Sequence, residues 1–266
     1  MAKQEGMMKF TGKMGGLVFY EQNGKFFVKT PGGASKKKIL SDPNFARTRE
    51  NMQEFGASAA LAKSFRNGFA GVSDLFRTST LSGKVTGIMK NINRTGEGLR
   101  GARAFEIIKN KQFIEGFELN QKVPLKSVFF ASSTLPEVND ERTAVVWTIP
   151  AFNAKNFIRP PKEATHAQLV LHTSVLSDYI FDPALSKYSF VHPEVNQASA
   201  TDYSEVFSLN GDTEKDILLQ ARFGFPGPLP LTAGIVIGIG IIFMVAARGR
   251  SSLVPGQNAM QVVLVG

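Results

Sequence analysis

The 266-residue chain contains no cysteine. Disulfide bonds, thiolate nucleophiles and Cys-ligated zinc or iron–sulfur centres are therefore excluded. Polar aromatic residues are also scarce, since 22 Phe stand against 4 Tyr and 1 Trp. Phe carries no polar group that favours a wet surface, so this composition is typical of aromatic side chains in hydrophobic cores and protein interfaces.

The sequence also lacks an apolar segment after its initial Met-Ala-Lys-Gln-Glu-Gly. We therefore expect no secretory signal and synthesis in the cytoplasm, after which the protein is free to join a released particle or assembly. One strongly apolar run, residues 233–247, is at the short limit for a helix that crosses a ~30 Å hydrocarbon core. Bulky residues fill its odd positions, and Gly238 and Gly240 fall on even ones. This period of two favours a buried strand with one close-packed face over a membrane span.

Charge is unevenly distributed along the chain. Residues 1–120 carry 20 Lys and Arg against 10 Asp and Glu, whereas residues 121–266 carry 11 against 12. A basic first half is suited to phosphate backbones, and it equally suits solvated helix faces that keep a protein soluble. The predicted phosphate contacts are Lys36, Lys37, Lys38, Arg47, Arg49, Lys63 and Arg66.

The first half predicts a hairpin followed by helices. Apolar residues 17–20 and 25–28 flank Asn23-Gly24, the dipeptide that best tolerates a tight hairpin turn. A glycine-rich stretch up to Lys38 predicts a flexible basic connector. Asp42-Pro43 then has the cap-and-proline pattern of a helix start. Apolar residues at helical spacing predict one helix that ends or kinks near Gly68 and a shorter one over 81–92.

From about residue 113 the hydrophobic period becomes two. The candidate strands are 126–132, 143–149, 166–173, 187–192, 203–208, 233–247 and 259–265. Strands at this spacing without intervening helices are typical of an antiparallel β-sandwich. We therefore predict an α+β, mainly β protein: a basic hairpin arm and linker (1–40), a segment of one or two helices (41–112) and a β-sandwich domain (113–266).

Several segments resemble an uncharacterised bacterial protein family. They are the glycine-rich Phe19-Tyr20 hairpin, the helix start DPNFARTRENMQEFG at 42–56, the EGFELN junction at 115–120, and NAMQVV at 258–263. Leu119 stands where the family has Phe in its junction. The resemblance covers most of the chain and implies a closing C-terminal strand, but it implies no activity.

Motifs that carry chemistry are weak throughout. His166 and His172 share a strand face, but a metal site needs three or four ligands. Asp212, Glu214 and Asp216 alternate like the start of a calcium loop, but Ile217 stands where its turn glycine belongs. We therefore predict no catalytic, cofactor-binding or metal site, no enzyme activity, no cofactor and no small-molecule substrate.

The hairpin and the Phe-lined helix carry the functional prediction. A two-stranded ribbon is marginal in water, and a helix with this many Phe residues needs an apolar partner. We expect a non-enzymatic, phage-like structural protein that assembles with copies of itself into a filament, tube or shell. The predicted subunit interface is Phe19, Tyr20, Phe26, Phe27, Phe45, Met52, Phe55, Phe65 and Phe69. The alternative is a nucleic-acid-associated protein that binds phosphates through its basic half.

Overall fold

The computed structural model describes residues 2–76, 78–247 and 250–266. The chain forms two compact units, Met1–Arg49 and Glu50–Gly266. The boundary between these units lies inside the long helix that begins at Ala46. The remainder of the predicted helical segment belongs to the same unit as the sheets of the second half.

The N-terminal unit contains a four-stranded antiparallel sheet. Its strands are β1 (Ala2–Lys3), β2 (Gly12–Met14), β3 (Leu17–Gln22) and β4 (Lys25–Lys29), in the order β1-β4-β3-β2. Asn23 and Gly24 have φ of 53° and 72°, as a two-residue hairpin turn requires. The predicted hairpin is therefore confirmed, and a short strand is added on each side of it.

Helices follow the sheet. They are α1 (Lys36–Ser41), α2 (Ala46–Gly68), α3 (Ala70–Phe76) and α4 (Leu81–Thr95), with a 3-10 turn at Pro43–Phe45 before α2. The Asp42 carboxylate accepts the Asn44 N–H at 2.9 Å, which confirms the predicted cap. The connector prediction is wrong at residues 36–38, because the Ser35 hydroxyl accepts the Lys38 N–H and caps a short helix there.

The second unit continues with short helices and eleven strands in its described residues. These elements are a 3-10 turn (Ile108–Phe113), α5 (Leu125–Val128), β5 (Glu137–Val138), β6 (Ala144–Ile149), α6 (Ala154–Phe157), β7 (His166–Ser177), β8 (Tyr179–Asp182), β9 (Lys187–Phe190), β10 (Ser199–Tyr203), β11 (Phe207–Ser208), β12 (Ile217–Arg222), β13 (Ala233–Ala247), β14 (Arg250–Leu253) and β15 (Ala259–Val265). The predicted α+β, mainly β fold with antiparallel sheets is confirmed.

Two sheets form the body of this unit, and β8 and β9 pair as a separate hairpin. One sheet has three strands in the order β12-β6-β5, and the other follows β10-β7-β13-β14 with β11 paired to β7 and β15 to β13. The central pairing aligns β7 and β13 over twelve residue pairs, from Ala233↔Ser177 to Met244↔His166. β12 falls outside the predicted strands, and residues 125–128 form α5 where a strand is predicted at 126–132.

The alternation in β13 separates two hydrophobic cores. Odd residues such as Ile237 and Ile241 pack in the core shared by the two sheets, whereas even residues such as Val236 and Ile242 pack against the helices. A Cβ placed on Gly238 would lie only 3.2 Å from Phe69 Cε1. The glycines on the even side therefore let the helical layer approach the sheet, which confirms the predicted buried strand with one close-packed face.

Candidate interaction surfaces of the N-terminal sheet

The N-terminal sheet has two chemically different faces. Residues paired across antiparallel strands point to the same face, so the neighbouring pairs Phe19↔Val28 and Tyr20↔Phe27 lie on opposite faces. The apolar face carries Met14, Leu17, Phe19, Phe26 and Val28, with Phe10 packed on it, and it also carries Ala2 and the carboxylate of Glu21. The basic face consists of Lys3, Lys13, Val18, Tyr20, Lys25, Phe27 and Lys29.

The apolar face has little cover. The Phe10 ring meets the Phe19 ring edge-on at a centroid distance of 6.0 Å. Gln4 fixes Phe10 there, because its side chain accepts the Phe10 N–H at 2.9 Å. Phe10 is nevertheless 46% exposed and Met14 61% exposed. None of the described residues 2–49 is buried, so this sheet has no hydrophobic core of its own.

Aromatic rings and ammonium groups lie together on the basic face. Tyr20 and Phe27 are stacked with centroids 5.7 Å apart and ring planes inclined by 26°. Lys29 Nζ lies over the Tyr20 ring, 5.3 Å from its centroid. The two rings are partly exposed, and the four lysines of this face are exposed around them. The face therefore combines flat apolar surfaces with a rim of positive charge.

The predicted interface residues fall into three groups. Phe19 and Phe26 lie on the apolar face, whereas Tyr20 and Phe27 lie on the basic face. On α2 the predicted residues Met52 and Phe55 are 56% and 59% exposed, and Phe45, just before the helix, is partly buried.

Phe65 and Phe69 require a correction. They are 3% and 2% exposed, stack on each other at 4.9 Å, and belong to the core under β7 and β13. Only the second half of α2 packs on this sheet, so the helix stripe is buried there and exposed at Met52 and Phe55. Phe65 and Phe69 offer no surface to another subunit.

The predicted phosphate contacts are divided between the two units. Lys36, Lys37 and Lys38 are exposed on α1, and Arg47 lies near the start of α2. The Arg49 guanidinium donates to the carbonyl oxygens of Ile39 and Asp42 at 2.8 and 2.9 Å, so its role is to hold the α1–α2 corner. Lys63 and Arg66 belong to the second unit, where Lys63 is exposed and Arg66 lines a small cleft with Ser79 and Ser82.

A buried carboxylate that the sequence analysis did not single out joins α2 to the following segments. Glu54 is fully buried, and its Oε1 accepts the Gly101 N–H at 2.8 Å and Arg103 Nε at 2.9 Å. Its Oε2 accepts Lys90 Nζ at 3.0 Å and Arg103 Nη2 at 3.1 Å. Burial alone would raise the pKa of Glu54, but these donors outweigh it and hold the pKa below its ordinary value. This network is structural, because both oxygens are fully engaged.

The two histidines of β7 cannot share a metal ion. His166 and His172 are six residues apart on one strand, which separates them by about 20 Å. His172 is fully buried, where its Nε2 donates to the Gly68 carbonyl at 2.9 Å and its Nδ1 accepts from the Thr201 hydroxyl at 2.8 Å. Burial lowers the pKa of His172 to about 4, so the imidazole is neutral and anchors the end of α2 to the sheet.

Further features of the described chain that bear on function are a surface cleft, the distribution of metal-ligating side chains and the apolar character of its helices. A surface cleft of about 370 Å³ lies beside Phe152, Phe157 and Asp212, and the Asp212 carboxylate accepts from the Asn153 amide at 2.8 Å. Across residues 2–76, 78–247 and 250–266 there is no group of three or more His, Asp or Glu residues that could hold a metal ion. Over the same residues, no helix has the length and apolar character to cross a membrane.

Comparisons with protein-family models, with curated proteins and with solved structures give no match to this chain. The resemblance to a bacterial family therefore stays a prediction from sequence motifs.

Proposed function

We propose that this is a non-enzymatic structural protein that assembles with copies of itself through the apolar face of its N-terminal sheet. One observation carries the proposal: no described residue from 2 to 49 is buried, although six apolar side chains share one side of a four-stranded sheet. A sheet gains stability when an apolar face packs against another layer. A second copy supplies such a layer in the assembled state.

The surface that receives this face is proposed to include Met52 and Phe55 of a neighbouring copy. These side chains are three residues apart on α2, more than half exposed, and therefore on one side of the helix. Docking of one surface on a different surface of the next copy is head-to-tail. Such contacts build rings when the rotation closes and open filaments or tubes when it does not.

Neighbouring residues of β4 provide a matched test of the donor face. Phe26 and Phe27 are both partly buried, but they point to opposite faces. Light scattering coupled to size-exclusion chromatography should show large species for the wild type and for Phe27→Ser, and small species for Phe26→Ser. Since apolar contacts are not screened by salt, the large species should persist at high ionic strength.

The receiving surface is tested on exposed side chains, where folding is not at risk. The double variant Met52→Ser, Phe55→Ser should abolish the large species. Leu99→Ser, which removes an apolar side chain that is 84% exposed, should leave them intact. A wild-type protein that stays a monodisperse monomer at all concentrations would refute the proposal, as would a Phe26→Ser variant that assembles like the wild type.

A further inference from the structure

We propose that the basic face of the N-terminal sheet binds single-stranded nucleic acid, with bases stacked on Tyr20 and Phe27 and phosphates held by the surrounding lysines. This surface is distinct from the apolar face that carries the proposed assembly. It also differs from the predicted phosphate contacts, because it uses none of the seven basic residues named from the sequence.

The register places the rings at the centre of the face and the charges at its margin. One cross-strand row runs Lys3, Phe27, Tyr20 over β1, β4 and β3. The next row runs Lys29, Val18, Lys13 over β4, β3 and β2. Lys25 opposes Gln22 beside the hairpin turn. The aromatic pair is thus flanked by cations in its own row and in the row next to it.

The charge of this face is complementary to a polyanion. Among the described strand residues, the face carries four lysines and no acidic side chain, because Glu21 points to the apolar face with its partner Phe26. Residues 1–49 as a whole carry ten Lys and Arg against three Asp and Glu. An acidic partner is therefore attracted to this unit before it makes any specific contact.

Stacked aromatic rings favour a single strand over other polyanions. Bases in a single strand expose their flat surfaces, and stacking on aromatic side chains recognises them with little dependence on sequence. A four-stranded sheet that presents aromatic rings to two or three bases is an established solution for binding RNA. Lys29 Nζ lies over the Tyr20 ring, so a base that stacks there displaces this ammonium group, which can then pair with the phosphate of the same nucleotide. Bases in a duplex are inaccessible to such a surface.

Fluorescence anisotropy with labelled oligothymidylate and oligouridylate of about 12 nucleotides tests the inference. Four phosphate contacts predict a slope of about −2.8 in log affinity against log salt, which is roughly 50-fold weaker binding at 200 mM than at 50 mM salt. A duplex of the same length should bind at least tenfold more weakly than the single strand, since it offers only its backbone.

Matched variants locate the site. In a Phe26→Ser background, where assembly does not contribute, Phe27→Ser should weaken binding at least fivefold, whereas Phe130→Ser, at an exposed Phe of the second unit, should leave it unchanged. Lys25→Gln with Lys29→Gln should reduce the salt slope by about 1.4, whereas Lys36→Gln with Lys37→Gln on α1 should not reduce it. The lysine pairs keep the test decisive if Phe27→Ser unfolds the sheet, because the lysines are exposed.

Four results would overturn the inference. They are equal losses from the two lysine pairs, equal losses from the two Phe variants, a duplex bound as tightly as the single strand, and binding to anionic phospholipid vesicles without binding to either oligonucleotide. Each of them leaves the assembly proposal standing, because that proposal depends on Phe26 and on the size of the particles.

Discussion

Replacing Glu54 with Gln should destabilise the second unit by about 3 kcal/mol. The glutamine keeps the shape of the side chain, and its Oε1 still accepts from Gly101 and Arg103. Its amide nitrogen, however, replaces the oxygen that accepts from Lys90 and Arg103 Nη2. Two charge-assisted hydrogen bonds are lost, each worth about 1.5 kcal/mol or more, and a donor then faces two cations.

Partial solvation keeps the cost below that of a fully buried ion pair. The side chains of Lys90 and Arg103 are 23% and 22% exposed, so water reaches both cations in the variant. Breaking a fully buried pair costs about 3–5 kcal/mol, and this site belongs at the lower end of that range. Glu50 is the control, because its ion pair with Arg100 is exposed to solvent. The Glu50 Oε2 and Arg100 Nε atoms are 3.5 Å apart, and the two side chains are 31% and 43% exposed. Glu50→Gln should cost less than about 1 kcal/mol.

Urea unfolding followed by circular dichroism measures both variants, in a Phe26→Ser background so that assembly does not contribute to stability. The pKa of Glu54 is lowered by folding, so its contribution is complete above its ordinary pKa and is lost as pH falls through the lower value in the folded state. Wild type and Glu54→Gln should therefore converge in acid. Equal stability of wild type and Glu54→Gln at pH 7 would refute the account of this network.

Gly240→Ala should destabilise the protein by about 1–3 kcal/mol, because the new Cβ would lie 2.7 Å from the Ala259 carbonyl oxygen. Gly56→Ala, in open space on α2, should instead stabilise it by about 0.5–1 kcal/mol. Thermal unfolding measures both variants, and equal shifts in melting temperature would contradict the packing described for β13. His172, with its pKa lowered to about 4 by burial, contributes stability that is present above pH 6.5 and is lost as pH falls toward 4, by about 2 kcal/mol between pH 7 and pH 5. Burial raises the pKa of Glu118 to about 7, so its contribution has the opposite sign: it is present below pH 4.5 and is lost as pH rises through 7. The effect of His172 is therefore measured as the difference between wild type and His172→Gln at each pH, and a difference that does not change with pH would show that the imidazole is not buried and neutral.

Local patterns predicted those elements whose burial repeats regularly along the chain. In β13 bulky residues alternate with positions that include glycines, because one side of the strand packs in the core between the sheets and the other side packs against the helices. The strand and its close-packed face could therefore be predicted from the sequence. The hairpin at Asn23-Gly24 follows from its turn chemistry alone. The strand predicted at 126–132 is wrong because the segment is apolar over only a few residues, and such a short apolar run fits a four-residue helix as well as a short strand.

The surfaces required tertiary information. Apolar residues continue along α2, yet Phe65 meets the sheet and Phe55 meets solvent, and only the tertiary structure shows which part of the helix the sheet covers. The basic face was missed for a different reason. Its lysines lie on β1, β2 and β4, and only the register of the four-stranded sheet brings Lys3 and Lys13 beside Tyr20 and Phe27. The one available signal was the alternation of Tyr20 and Phe27 with Phe19 and Phe26 in the hairpin.

The pairing of β7 with β13 has a consequence for how the chain reaches its native state. The two strands are joined by 55 residues, 178–232, and twelve residue pairs must align across that separation. Such non-local closure is slow, and until it occurs β13, the most apolar stretch of the protein, has no partner on the edge that β7 covers in the native state. Refolding yield should therefore fall steeply with protein concentration, since an open β13 edge accepts a strand from another molecule as readily as it accepts β7.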